Sequence, residues 1–207
     1  MKFEARAALP SWLEARRSIR SFVPDPIAHS TLATLIEAAC IAPAPHHSRP
    51  WRWVAITDRA KLHDLAAGMG DQWRSDLARD GVAPKRIDEL VDASHRKLMG
   101  APAVILGCVT WNGLDRYPDE ARQRAEFGMA LLSLGAAVEN LMLCAADLGL
   151  ASCWVASPIF CPDAARDALG LDQEWRPHAM VLVGKPDPNY VGRPRPPVPL
   201  ETLARFF

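Results

Sequence analysis

Residues 16–22 read RRSIRSF. Three arginines and two serines occupy seven positions, and only Ile19 and Phe22 are apolar. Arginine brings planar, permanently charged donors, and serine adds a hydroxyl. A phosphate is the simplest partner for that set, because charge-assisted hydrogen bonds are the stronger kind. If the stretch makes a helical turn, residues three and four apart share a face, so Arg16, Arg17 and Arg20 would converge on one anion. A solvated basic helix end has the same spacing, and the two readings stand side by side.

Two further clusters bear on the choice. APAPHHSRPWRW, residues 42–53, sets two histidines and Arg49 in a proline-stiffened loop between a helix and a strand. Loops held at both ends by regular elements are where binding groups concentrate. His46 and His47 are adjacent, so their side chains diverge, and no carboxylate or cysteine is near; a metal site is not expected. GRPRPP, residues 192–197, places Arg193 and Arg195 on one side of a stiff extended tail. A disordered basic tail is the plainer account of that segment.

The bulk composition narrows the partners. The 207 residues carry 24 Lys plus Arg against 24 Asp plus Glu, so the net charge is zero. General nucleic-acid or membrane-surface binding would want a basic excess, and neither partner is expected. Five cysteines without a CxxC pair read as reduced thiols of a cytoplasmic protein. The longest apolar region, 127–150, is interrupted by Glu139, Asn140 and Asp147 and reads as a buried helix, not a membrane span.

Patterning predicts the elements. A short opening helix is expected over 11–18 with Ser11 as its cap. A second helix, capped by Ser30, carries Leu32, Leu35, Ile36, Ala39 and Cys40 at helical spacing and stops at the prolines of 43–45. WRWVAIT reads as a strand. Residues 59–69 and 84–98 read as helices, with the polar WRSDLARDGVAP as turn between them. APAVILGCVT, ASCWVAS and HAMVLVG are buried strands, and residues 119 to about 148 form a long helix ending at Gly149. A further helix is expected near 162–169. The Pro-rich tail from Lys185 excludes regular helix or central strand. The sum is an α+β fold in one domain over 1–207: a mostly antiparallel sheet of about four to five strands flanked by helices. The single GxG, at Gly68 to Gly70, follows a helix and not a strand, which excludes a dinucleotide loop.

The three clusters, in this order, resemble the nitroreductase family. The resemblance implies FMN bound at the interface of a domain-swapped homodimer, with the tail, about 185–207, extending onto the partner subunit. It assigns Arg16, Arg17, Ser18 and Arg20 to the ribityl phosphate, with Arg193 and Arg195 closing that site. Pro45, His47 and Arg49 fall at the flavin edge, with His46 beside them. Val155, Ala156 and Ser157 fall where members present backbone to the flavin face. His46 or His47 is the implied proton donor, or else both only shape the loop. Arg49, Trp73 and Arg74 are candidate substrate contacts, while Arg96 and Lys97 read as solvated helix charges and Trp154 as core.

Along the middle the resemblance narrows. APAPHHSRP, WRSDLARDG, YPDEAR, GLASCWVASPIF and VGKPD are similar to the FMN-binding domain of the two-domain protein that matures deazaflavin coenzyme F-420 in actinobacteria. That branch implies reduction of the dehydro precursor of coenzyme F-420 at an enolpyruvyl double bond. NAD(P)H is a candidate electron donor. The ligase domain of the two-domain protein has no counterpart here, so a separate glutamyl-ligase chain is a candidate partner. Three rivals share the phosphate contacts: a general NAD(P)H-dependent nitro- or quinone reductase, a non-catalytic flavin or deazaflavin binding module, and a lyase that consumes its own reduced flavin with oxygen.

Overall fold

Period-two alternation sorts the strand side chains onto two faces. In the strand Ala103–Val109, residues Ala103, Ile105 and Val109 join one apolar cluster, and Val104, Leu106 and Cys108 join the other. The strand Arg176–Gly184 behaves alike, with Ala179, Val181 and Val183 opposite Met180 and Leu182. Both are buried on both faces, so each reads as an unbroken apolar run. The computed structural model describes residues 8–192 and 194–205, and everything below concerns those residues.

Four strands, β1 (Trp51–Ile56), β2 (Ala103–Val109), β3 (Ala151–Val155) and β4 (Arg176–Gly184), form one antiparallel sheet in the order β1-β2-β4-β3. The helices are α1 (Ser11–Ala15), α2 (His29–Cys40), α3 (Arg59–Arg79), α4 (Pro84–Met99), α5 (Glu120–Asp147), α6 (Pro162–Leu169) and the one-turn α7 (Leu200–Leu203). Pro45–His47 and Ser157–Phe160 are short 3₁₀ turns. α2 and α5 cover one face of the sheet through Leu32, Leu35, Leu134, Val138 and Leu141. α3, α6 and the end of α4 cover the other through Leu62, Leu65, Ala165 and Leu98. The α+β architecture expected from the sequence is the one observed, with four strands.

α5 is long and apolar enough to cross a membrane by length and composition. Here it is the core helix: Ala130, Leu134, Ala137, Val138, Leu141 and Ala145 are buried against the sheet and α2. It ends at Gly149, whose φ of +69° is the left-handed geometry that terminates helices without a Cβ penalty.

Several local expectations fail. Ser11 and Ser30 are not caps; α1 and α2 begin after Pro10 and Ala28, with no side-chain cap bond. The side-chain caps are Asp58, accepting from Ala60 N and Lys61 N, and Asp119, accepting from Arg122 N. WRSDLAR is not a turn but the last part of α3, held beside α4 by the Arg74–Asp88 ion pair. The RRSIR stretch is not helical: α1 stops at Ala15, Arg16 is already extended, and Ser18 forms a parallel bridge with Ser152 of β3. The tail does hold one helical turn, α7. Trp154 is 40% exposed, because β3 is an edge strand whose outer positions are incompletely covered.

Gly107 shows how tightly the sheet meets α5. A Cβ there would lie 2.8 Å from a ring carbon of Trp53 and 3.1 Å from Leu134 Cδ1. Gly107→Ala is therefore expected to lower stability by about 1–3 kcal/mol through overpacking. Urea unfolding followed by circular dichroism would measure it, and an unchanged midpoint would contradict the packing described.

Candidate functional site

The extended conformation of residues 16–22 organises the site. Ile19 N donates to Ser152 O at 3.0 Å, so this segment runs along the edge of β3. Further on, Phe22 pairs with Pro186, and Val23 N donates to Lys185 O. The two ends of the chain thus lie side by side. Between them is an open cavity of about 1150 Å³ lined by Arg16, Arg17, Ser18, Arg20, Tyr190 and Arg195, among others. Arg195 Nη2 donates to the Arg16 carbonyl at 2.7 Å, which closes the cavity from the tail side.

A clasp fixes the root of the tail. Ser21 Oγ donates to Asp187 Oδ2 at 2.8 Å, Asp187 N donates to Ser21 O, and Asn189 N donates to Asp187 Oδ1 at 2.9 Å. Lys185 Nζ pairs with Asp25 Oδ2 at 2.8 Å beside it. No composition signal marks Ser21 and Asp187, because their pairing spans 166 residues.

The cations of the cradle are not equivalent. Arg20 reaches toward Cys153 on β3. Burial raises the pKa of that thiol, while the charge of Arg20, the charge of Lys97 and a hydrogen bond from Arg20 pull it the other way. Lys97, read from sequence as a solvated helix charge, thus stands on α4 close to the same cysteine as Arg20. Arg16 leans on α5: its Nε lies 2.9 Å from Glu139 Oε1, within ion-pair range but misaligned for a hydrogen bond. Glu139 was visible in the sequence only as a charge interrupting an apolar helix.

The histidine loop lies elsewhere. Residues 45–49 lead into β1, at the opposite edge of the sheet from β3. Three strand spacings separate those edges, roughly 14–15 Å. His46, His47 and Arg49 all hold left-handed φ, +52°, +52° and +46°. Residues other than glycine seldom keep that conformation unless the surroundings enforce it, and such strain gathers at functional sites. The enforcing surface is the turn after β2. Gly113, with φ of +82°, packs against Ser48, and a Cβ there would approach Ser48 O to 3.0 Å. The same turn is tied to α5, where the buried Glu126 accepts from Asp115 N at 3.2 Å.

The sequence-predicted residues therefore divide. Arg16, Arg17, Ser18, Arg20 and Arg195 line one cavity. Arg193 lies outside the described residues. Pro45, His46, His47 and Arg49 form the strained loop at the far edge of the sheet. Val155, Ala156 and Ser157 sit at the end of β3, three residues along from the Ser18–Ser152 bridge and outside the cavity wall. Trp73 is partly exposed on α3, and Arg74 is engaged by Asp88. Neither lines the cavity. Among the described residues, no three His, Cys, Asp or Glu side chains converge as a metal site.

This arrangement can be set beside known proteins. Residues 13–185 match the model of the nitroreductase family. The chain is 30% identical over 189 residues to a 5,6-dimethylbenzimidazole synthase of Rhodospirillum rubrum, covering 87% of this chain and 83% of that one. Among solved structures, a BluB-like flavoprotein from Clostridium difficile superposes with a TM-score of 0.79 at 22% identity, covering 95% and 97% of the two chains. A nitroreductase with bound FMN from Bacteroides fragilis superposes with a TM-score of 0.68 at 20% identity, covering 91% and 94%. The chain belongs to the nitroreductase family, a family of oxidoreductases, and it is an enzyme of that class.

The clasp carries a pH signature. The Asn189 amide and the Ser21 hydroxyl hold the Asp187 carboxyl below the ordinary carboxylate range. A depressed carboxylate contributes while it is ionised. The clasp is therefore complete above the unfolded value of about 4 and is lost as pH falls through the lower folded value. Amide protection factors at Asp187 and Asn189 should drop on acidification through that window. Asp187→Ala should show the low protection already at neutral pH, with no further loss in acid. Protection that ignores both acid and substitution would remove the clasp from the account.

Proposed function

We propose that this protein is an FMN-dependent oxidoreductase that reduces a small conjugated substrate, the dehydro precursor of deazaflavin coenzyme F-420. The observation that carries the cofactor is the cradle: arginines from both chain ends face one cavity, with the Ser18 hydroxyl among them. Its volume of about 1150 Å³ exceeds what the phosphate end of a mononucleotide needs. The bound FMN of the Bacteroides fragilis structure agrees with that choice. The finer substrate rests on the segments APAPHHSRP, WRSDLARDG and GLASCWVASPIF.

FMN, when bound, supplies the hydride. Arg16, Arg17, Ser18, Arg20 and Arg195 hold its phosphate through charge-assisted hydrogen bonds. The backbone at Val155, Ala156 and Ser157 would hold the ring face. Within one chain the loop at 45–49 leads into β1, at the opposite edge of the sheet from β3. It reaches the site from a second copy in a twofold assembly. There Pro45 and His47 would hold the ring edge, Arg49 would meet the substrate's carboxylates, and His46 or His47 would deliver the accompanying proton from a ring nitrogen. Apolar side chains left uncovered on α5 and after β3, Leu132 at 76% exposure and Phe160 at 82%, supply surface for that second copy.

A second reading is favoured by one observation, the 30% identity to a 5,6-dimethylbenzimidazole synthase. It is a reaction in which the reduced flavin is itself consumed with oxygen. The two are separated by mixing photoreduced, FMN-loaded protein with either oxygen or the dehydro precursor. Recovery of the oxidised flavin spectrum with reduced precursor as product supports the first. Permanent loss of the flavin spectrum under oxygen supports the second.

The cradle itself is tested first. Purified protein should be yellow, and Arg16→Ala with Arg20→Ala should weaken FMN binding at least about a hundredfold, since each charge-assisted bond contributes about 1.5–3 kcal/mol. Equilibrium titration by flavin fluorescence measures it. Unchanged affinity in the double variant would place the cofactor elsewhere.

A further inference from the structure

A carboxylate stands behind the phosphate cradle at an unexpected place: the cavity wall itself carries Glu14, and Glu139 bears on it only through Arg16. Glu139 stands on α5, in a helix otherwise apolar for several turns, and approaches Arg16 Nε to 2.9 Å. Arg16 is the residue on which the cradle converges. It lines the cavity, its carbonyl accepts from Arg195 of the tail, and it follows directly on the end of α1. A carboxylate here is costly for any anion that enters, because like charges at this range repel and the guanidinium is already partly neutralised. The two side chains are 23% and 41% exposed, so water partly screens the pair although Arg16 Nε itself is buried. The misaligned Nε contact leaves that donor without a hydrogen bond. Arg16 is thus held near the cavity by a partner that leaves its Nε without an aligned hydrogen bond and bears the charge of the ligand.

We propose that Glu139 is a charge-exchange residue of the cradle: it occupies Arg16 in the empty site and yields it to the incoming phosphate, which sets how tightly a phosphorylated ligand is held. The inference rests on the reading of the cavity as a phosphate site. The carboxylate keeps four arginine side chains, those of residues 16, 17, 20 and 195, from accepting every passing anion with full strength. A dianionic phosphate with its hydroxyl and amide contacts outcompetes it, and a weaker anion does not. Glu139 acts through Arg16 and touches no reacting atom; it is a specificity-determining position, not a catalytic residue.

The experiment is a thermodynamic cycle on the full-length chain, with Glu139→Gln, Arg16→Ala and the double variant. Inorganic phosphate binding is read by calorimetry and FMN binding by fluorescence, at low and at moderate salt. Glu139→Gln preserves the acceptor and removes the charge. It should tighten both ligands about threefold to tenfold, with the gain shrinking as salt screens it. In the Arg16→Ala background the same change should have little effect, because the group it competes for is gone. Weaker or unchanged binding in Glu139→Gln would overturn the proposal. So would a gain of equal size with and without Arg16, which would make Glu139 a distant field and not an exchange partner. If wild-type protein bound neither ligand, the phosphate reading of the cavity would fail first. If it bound both and only the cycle failed, the failure would belong to Glu139 alone.

Discussion

The site depends on one backbone contact, the docking of residues 16–22 along the free edge of β3. An edge strand offers unpaired donors and acceptors, and proteins normally cover them. Here the covering strand is short and arginine-rich, and its bridge at Ser18–Ser152 settles where its side chains stand. Arg20 and Lys97 both act on Cys153, and Arg16 lies near Glu139 and Arg195. A helical turn would have presented the same residues to solvent. The extended form places them beside a sheet that is rigid, buried and continuous with the core.

The tail completes what the edge begins. It returns along residues 21–23, is clasped at Asp187, and turns Arg195 back onto the Arg16 carbonyl. The cavity walls therefore come from sequence positions about 180 residues apart. That separation is why neither cluster alone shows the cavity: it exists only when one is folded against the other. The histidine loop follows the opposite logic. It is held locally, by the Gly113 turn and α5, in a conformation its residues do not prefer, and it stands at the edge of the sheet opposite the cradle of its own chain.

Much of this was legible in the amino-acid order. β2, β4 and α5 announced themselves because complete burial produces unbroken apolar runs and helical periodicity, both local properties. The arginines and the tail cation were legible as chemistry, since few other residue sets suit a phosphate. What escaped was decided at long range. RRSIR satisfies helix spacing as well as strand spacing, and only its pairing with Ser152 chooses between them. WRSDLAR looked like a turn because it lies beyond the core, where α3 has α4 and not the sheet for a neighbour. Trp154 looked like core because its neighbours are, yet on the edge strand it lies over Gly135 of α5 with nothing to cover its other side, and stays 40% exposed. Glu139 and Lys97 looked like ordinary helix charges, and nothing short of the fold brings Arg16 to the one and Cys153 to the other.

The central claim is that guanidinium groups from both chain ends grip the phosphate of a flavin mononucleotide. The direct measurement compares two ligands that differ by that group alone. Riboflavin and FMN should be titrated into apoprotein under identical salt. The account predicts that FMN binds at least about a hundredfold more tightly, from two or more charge-assisted bonds that riboflavin lacks. Equal affinities for the two would contradict it.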